Sequence, residues 1–184
     1  ADPTTFKDAL DILDKYSISE PQSVISHLRS AEVETPKPAD KLFSNTESHL
    51  IATPQFSLEA AAAVARNSGY NVMILGDSIE GEASQVAMVH AGIVKQIIRH
   101  RQPINKPCVL LSGGETTVTV TGNGRGGRNA EFALALGVAL DGMDGVYVLS
   151  ADTDGIDGSE DNAGVVVRPS ALSDAQKLDL NARR

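Results

Sequence analysis

Two short apolar runs constrain the fold more than anything else in the chain. Asn71-Val72-Met73-Ile74-Leu75-Gly76 and Cys108-Val109-Leu110-Leu111 both read as buried strands. Between them Val86, Val89, Ile93, Val94, Ile97 and Ile98 recur at helical spacing. Two strands joined through a helix need a crossover, and a crossover places them parallel in a sheet covered by helices. Glu80-Gly81-Glu82 is expected to open this helix, and Lys95, Arg99, His100 and Arg101 form its basic end. Acid at the start and base at the end both suit the helix dipole. Upstream, His49 to Ala52 is predicted as a short strand. Ser57 is expected to cap an Ala-rich helix that ends at Gly69.

Downstream the texture changes. Glu115-Thr116-Thr117-Val118-Thr119-Val120-Thr121 alternates Thr with Val, the pattern of a strand with one wet face. A helix is predicted from Asn129 to Leu140, strands over Val146–Leu149 and Val165–Val167, and a last helix from Ser170. The fold class is therefore α/β: a mostly parallel sheet with helical crossovers, followed by a mixed α/β region. At the other end, Thr4-Thr5 caps an amphipathic helix through Tyr16, and Ser19-Glu20-Pro21-Gln22 has the spacing of a capping box for a second. Glu34-Thr35-Pro36-Lys37-Pro38 breaks helix twice, and the stretch to about Asn45 reads as a tether. The expected division is a helical segment with a Pro-rich linker (1–46), an α/β part (47–106) and a final domain (107–184).

Composition removes several partners. Across 184 residues the formal charge is −8, so nucleic acid and anionic membranes are poor partners, and any anion site must be local. The single Cys108 cannot form an internal disulfide, which fits a reducing, cytoplasmic setting. No apolar run is long enough to span a membrane, and no signal peptide is recognisable. The chain begins at Ala1-Asp2-Pro3 without an initiator Met, so a processed protein and a piece of a longer one are both open readings.

Three segments carry candidate chemistry. Ser112-Gly113-Gly114-Glu115 follows an apolar strand, where paired glycines let backbone N–H groups approach a ligand; the alternative is a tight turn. Gly122-Asn123-Gly124-Arg125-Gly126-Gly127-Arg128-Asn129 sets two arginines at the mouth of a helix. Cations there oppose the helix dipole, so the arrangement is expected to await an anion held by guanidinium and backbone donors. The alternative is a mobile Gly-rich loop with solvated arginines. Gly122, Gly124 and Gly127 also satisfy G-x-G-x-x-G, a weak match to a dinucleotide fingerprint because the preceding strand is not apolar on both faces. The third segment, Asp152-Thr153-Asp154-Gly155-Ile156-Asp157-Gly158 with Glu160 and Asp161, gathers carboxylates that would bind a cation, share a proton or meet the arginines. Its alternative is a solvated loop of Asx turns. An EF-hand is disfavoured because Ile156 and Ala163 stand where ligands are required. No Walker A pattern is present. The histidines His27, His49, His90 and His100 lack metal-ligand spacing, and His90 is expected to be packed rather than catalytic.

The ordered set Ser112-Gly113-Gly114-Glu115-Thr116-Thr117, Gly124-Arg125-Gly126-Gly127-Arg128-Asn129 and Thr153-Asp154-Gly155-Ile156-Asp157-Gly158 resembles the MOFRL domain of the class II glycerate kinases. That family also carries the name hydroxypyruvate reductase and a link to tartrate degradation. Glu34–Pro38 and Glu80-Gly81-Glu82-Ala83 are similar to its preceding domain. The resemblance covers nearly all of this chain but less than half of a family member. Ser159 and Asn162 depart from the family pattern. It implies ATP-dependent phosphorylation of the 2-hydroxyl of D-glycerate with Mg²⁺, in a cleft between two domains. It further implies catalytic roles for Arg128, Glu115 and Asp154, and cofactor contacts from Ser112, Gly113, Gly114, Arg125, Gly126, Gly127 and Asn129. Asp154 and Asp157 are the implied metal ligands, with Asp157 alternatively fixing its turn. The implied partners are glycerate, the remainder of a longer chain and, as an open reading, a second copy in a homodimer. The chain alone is expected to be inactive or nearly so.

Overall fold

The computed structural model describes residues 1–182; Arg183 and Arg184, the last positions of the expected final domain, lie outside them. The chain divides into two compact units, Ala1–Leu50 and a second from Ile51 onward.

In the first unit α1 (Phe6–Lys15) starts from a reciprocal capping box: Thr5 Oγ1 accepts from Asp8 N, and the Asp8 carboxylate accepts from Thr5 N at 2.8 Å. The second predicted box does not form. α2 (Gln22–Ser30) starts behind Pro21, which has no side-chain acceptor; Gln22 N donates instead to the Glu20 carboxylate at 3.0 Å, and the Gln22 side-chain Nε2 donates to the Ser19 carbonyl at 2.8 Å. The Pro-rich stretch is more than a tether. The Glu34 carboxylate accepts from Phe6 N at 3.0 Å and Lys37 Nζ donates to the Thr4 carbonyl, so the stretch adds an acceptor to an orphan donor of α1. A 3₁₀ turn, Lys41–Phe43, follows.

The second unit holds α3 (Pro54–Asn67), β1 (Asn71–Glu82), α4 (Ala83–His100), β2 (Cys108–Thr117), α5 (Arg128–Leu140), β3 (Val148–Ala151), β4 (Gly164–Val167) and α6 (Ala171–Lys177). β1 and β2 pair in parallel through the α4 crossover, with Asn71 opposite Cys108 and Glu82 opposite Thr117. α3 packs on this pair. β3 and β4 pair antiparallel, Val148 opposite Val167. The architecture is mixed α/β with a parallel element, as the strand–helix–strand spacing required. The core lies between α4 and α5. Ala87 and Ala91 are fully buried against Leu136 and Leu140, with Val94 and Phe132 beside them. The small alanines bring the helices together, and each buried leucine contributes about 1.5–3 kcal/mol.

Several boundaries differ from the sequence reading. His49–Ala52 is irregular and largely exposed rather than a strand. The helix after it begins earlier than Ser57: Pro54, pre-set for a first helical position, follows Thr53, whose Oγ1 accepts from Phe56 N at 3.3 Å. Glu80-Gly81-Glu82 ends β1, and only Glu82 takes part in opening α4, as its N-cap residue. Ser112-Gly113-Gly114 is no turn but the middle of β2, which runs on to Thr117. Gly114 is needed there because a Cβ would lie 2.0 Å from the Ile79 carbonyl oxygen, where β1 shifts register. The Thr/Val alternation outlasts its strand: Val118–Thr121 finds no ladder partner among the described residues. Val146 and Tyr147 precede β3, and the apolar strands are half-buried rather than buried.

Candidate functional site

Parallel strands deliver their chemistry at their carboxyl ends. The end of β2 presents Glu115, in backbone register with Glu80 on β1. The β3 end presents Asp152, whose N–H is fixed by the Ala163 carbonyl at 2.7 Å. Arg128, the first residue of α5, lies between them. Its Nε and Nη2 both donate to Asp152 Oδ2, at 3.0 and 2.6 Å, and its Nη1 donates to Glu115 Oε1. These bonds to Glu115 and then Asp152 raise the guanidinium pKa, so the charge is permanent. Arg128 lines an open cavity of about 870 Å³ together with Thr119, Arg125, Asp152 and Asp154. Glu82 braces the wall: its carboxylate accepts from Thr119 N at 2.9 Å and from Thr119 Oγ1 at 3.0 Å.

The first turn of α5 corrects the electrostatic expectation. Its backbone donors do not await an external anion, because Asp157 already supplies one. Asp157 is 1% exposed. Its Oδ1 accepts from Asn129 N at 2.9 Å and from the Asn129 side-chain amide at 3.2 Å, and Oδ2 accepts from Ala130 N at 2.9 Å. A carboxylate at a helix N-terminus satisfies orphan donors and complements the dipole at once. The packing leaves no spare room. A Cβ on Gly127 would fall 2.4 Å from Asp157 Oδ1, and one on Gly158 would fall 2.5 Å from the Gly126 carbonyl oxygen. The Gly-rich and acidic segments are thus one clamped unit.

The other candidates separate accordingly. Asp157, taken as a metal ligand, has both oxygens committed to α5. Asn129 is likewise engaged, with its Oδ1 accepting from Ser150 Oγ at 2.8 Å. Asp154 is exposed; one oxygen accepts from Ile156 N at 2.9 Å in an Asx turn, and among the described residues no bond to the other is seen. Arg125 is 81% exposed and donates to Glu160 at 3.0 Å. Gly113 and Gly114 lie within the β2 ladder. Ser112 faces His90, which is packed as expected: Nδ1 donates to the Val86 carbonyl at 2.9 Å, Nε2 lies 3.1 Å from Ser112 Oγ, and the ring meets Phe132 edge-on at 5.1 Å. Among the described residues no group of three or more His, Cys, Asp or Glu could hold a metal ion, and no helix is long and apolar enough to cross a membrane. Sequence reasoning did not single out Asp152 as the partner of Arg128. The available signal was that Asp152 stands at a strand end, where side chains converge.

Residues 108–184 match the MOFRL family model. The chain is 46% identical over 174 residues to an Agrobacterium vitis protein named "Putative hydroxypyruvate reductase", covering 94% of this chain and 39% of that one. It is 42% identical over 166 residues to the D-glycerate 2-kinase of Thermotoga maritima, covering 90% of this chain and 38% of that one. The crystal structure of glycerate kinase from Thermotoga maritima superposes with a TM-score of 0.77 at 38% identity, covering 98% of this chain and 42% of that one. The chain therefore spans about two fifths of the length of these relatives. The three motifs around Glu115, Arg128 and Asp154 all fall within residues 108–184, the part of the chain that matches the MOFRL family model.

Proposed function

We propose that this chain supplies the anion-holding side of an enzyme that transfers the γ-phosphoryl group of ATP to the 2-hydroxyl of D-glycerate, giving 2-phosphoglycerate. The observation that carries this reading is Arg128. A permanently charged guanidinium, held on one edge by Asp152, borders an open cavity of about 870 Å³. In phosphoryl transfer the protein's work is mostly positioning and neutralising charge. Arg128 would contact the transferring phosphoryl group or the substrate carboxylate, with Arg125 behind it at the same cavity. The hydroxyl oxygen forms the new bond to phosphorus, the bond to the ADP oxygen breaks, and the hydroxyl proton passes to a carboxylate. Glu115 and Asp154 are the candidates for that proton. The names of the kinase relatives at 42% and 39% identity support the reading.

Mg²⁺ and ATP are part of the proposal. Asp154 suits Mg²⁺ as a single carboxylate ligand, since this ion takes one or two carboxylates with phosphate oxygens and water. Bound there, it would offset phosphate charge. Asp157 does not suit it, because its oxygens are filled by N–H donors. The alternative is reduction of hydroxypyruvate by NAD(P)H, which the name of the Agrobacterium vitis relative favours. The geometry weighs against it. A dinucleotide pyrophosphate needs the helix N-terminus after Gly127, where the Asp157 carboxylate sits. The deciding assay uses the intact protein that carries this chain: ADP formed with D-glycerate, against NADH lost with hydroxypyruvate. Arg128→Ala is expected to lower kcat/KM for phosphorylation by about 10²–10³-fold. Near-normal activity in that variant overturns the reading, and residues 1–184 alone are expected to show little turnover.

A further inference from the structure

The two carboxylates on Arg128 are not equivalent. Asp152 has a 16% exposed side chain, sits on a backbone fixed by the Ala163 carbonyl, and takes the Nε–Nη2 edge. Its second oxygen accepts from Thr153 N at 3.1 Å. Glu115 has a 75% exposed side chain, reaches across from β2 on a longer stem, and takes Nη1 alone. Together they put two negative charges on one positive group, with Glu80 in backbone register with Glu115 on β1. Left so, the cluster repels any anion approaching through the cavity.

We propose that Glu115 is an exchangeable occupant of Nη1, displaced when an anionic ligand oxygen binds, while Asp152 is a positioning residue that stays on the Nε–Nη2 edge throughout. An incoming phosphate or carboxylate oxygen replaces the Glu115 oxygen on the same donor. Arg128 and Asp152 then form a neutral pair facing the ligand, and Glu115 becomes a free carboxylate beside it. The cost of release is small, because an exposed ion pair contributes little in water. Asp152 is held where charge is poorly screened, and its geometry fixes the direction of the guanidinium plane.

This inference rests on the reading that Arg128 receives an anion, but its test is separate from kinase activity. Inorganic phosphate is titrated into the 184-residue chain and into two variants, with binding read by NMR. Glu115→Gln and Asp152→Asn each remove one negative charge from the same guanidinium. Charge alone predicts that both tighten phosphate binding. The proposal predicts opposite signs: about fivefold tighter for Glu115→Gln, and at least fivefold weaker for Asp152→Asn. Equal tightening overturns the positioning role of Asp152, and unchanged or weaker binding in Glu115→Gln overturns the exchange. Absence of phosphate binding in both the wild type and Glu115→Gln overturns it as well. Should Asp152→Asn fail to fold, the Arg128 Nε–H resonance decides in its place. It stays put through the phosphate titration of wild type and Glu115→Gln if the Asp152 edge is fixed, and a large shift there contradicts the proposal. Failure of the kinase reading would appear instead as absent ADP formation with phosphate binding intact.

Discussion

Two of the carboxylates that meet the first turn of α5, Asp157 and Glu115, do opposite things. On its backbone side, Asp157 is 1% exposed and its oxygens serve three N–H donors in a space too tight for a Cβ on Gly127. On its side-chain side, Glu115 is 75% exposed and holds a single guanidinium nitrogen. One carboxylate is structural and permanent, and the other is on a surface where water competes. The contrast teaches that a helix N-terminus rich in glycine and arginine need not be an anion site through its backbone. Here the backbone site is filled from within, and what remains for a ligand is the arginine edge.

The sharpest way to break this contrast is to empty the inner side. Asp157→Ala leaves buried donors without acceptors and is expected to cost about 3–5 kcal/mol, read as a lowered urea midpoint. A cost under about 1 kcal/mol would mean the cap does not hold α5. Next in size, Gly127→Ala forces a methyl group against the Asp157 carboxylate, for an expected loss of about 1–3 kcal/mol. An unchanged midpoint in that variant would contradict the close packing. A local, exposed cap gives the scale for comparison. Thr5→Ala, at the head of α1, should cost only about 1 kcal/mol, measured as lost helicity in the first unit. Smallest is the acid response of that same cap. Hydrogen bonds from Thr5 hold the Asp8 carboxyl below its usual value of 3.8. Its contribution is therefore complete above pH 3.8 and fades as pH falls through the lower, folded value. Wild type and Asp8→Asn should differ in helicity at neutral pH and converge in strong acid; a difference that grows on acidification would reverse the sign.

Much of the frame was legible because it rests on periodicity. Val86 through Ile98 marked the crossover helix, and the runs at 71–76 and 108–111 marked its strands. Errors gathered where a local signal met a tertiary one. Gly113-Gly114 suggested backbone approach to a ligand, or else a tight turn, yet what approaches is a neighbouring strand, so close that only glycine fits at Gly114. Ser19 had the spacing of a cap, but Pro21 sets the start of α2 without one. At the site, Arg128 was visible from its odd position against the dipole. Its partners were not, because Glu115 and Asp152 approach it from different elements, 13 and 24 residues away in sequence. The role of Asp157 was hidden for the same reason: a cap supplied 28 residues downstream leaves no mark at the helix start.

The central claim is that an anion meets this protein through the Arg128 guanidinium and not through the α5 backbone. A phosphate titration of the isotope-labelled chain, followed by NMR, tests it residue by residue. The account predicts that the Arg128 Nη resonances move with phosphate while the amides of Asn129 and Ala130, bonded to Asp157, stay in place. Large shifts at those two amides with a silent Arg128 side chain would contradict it.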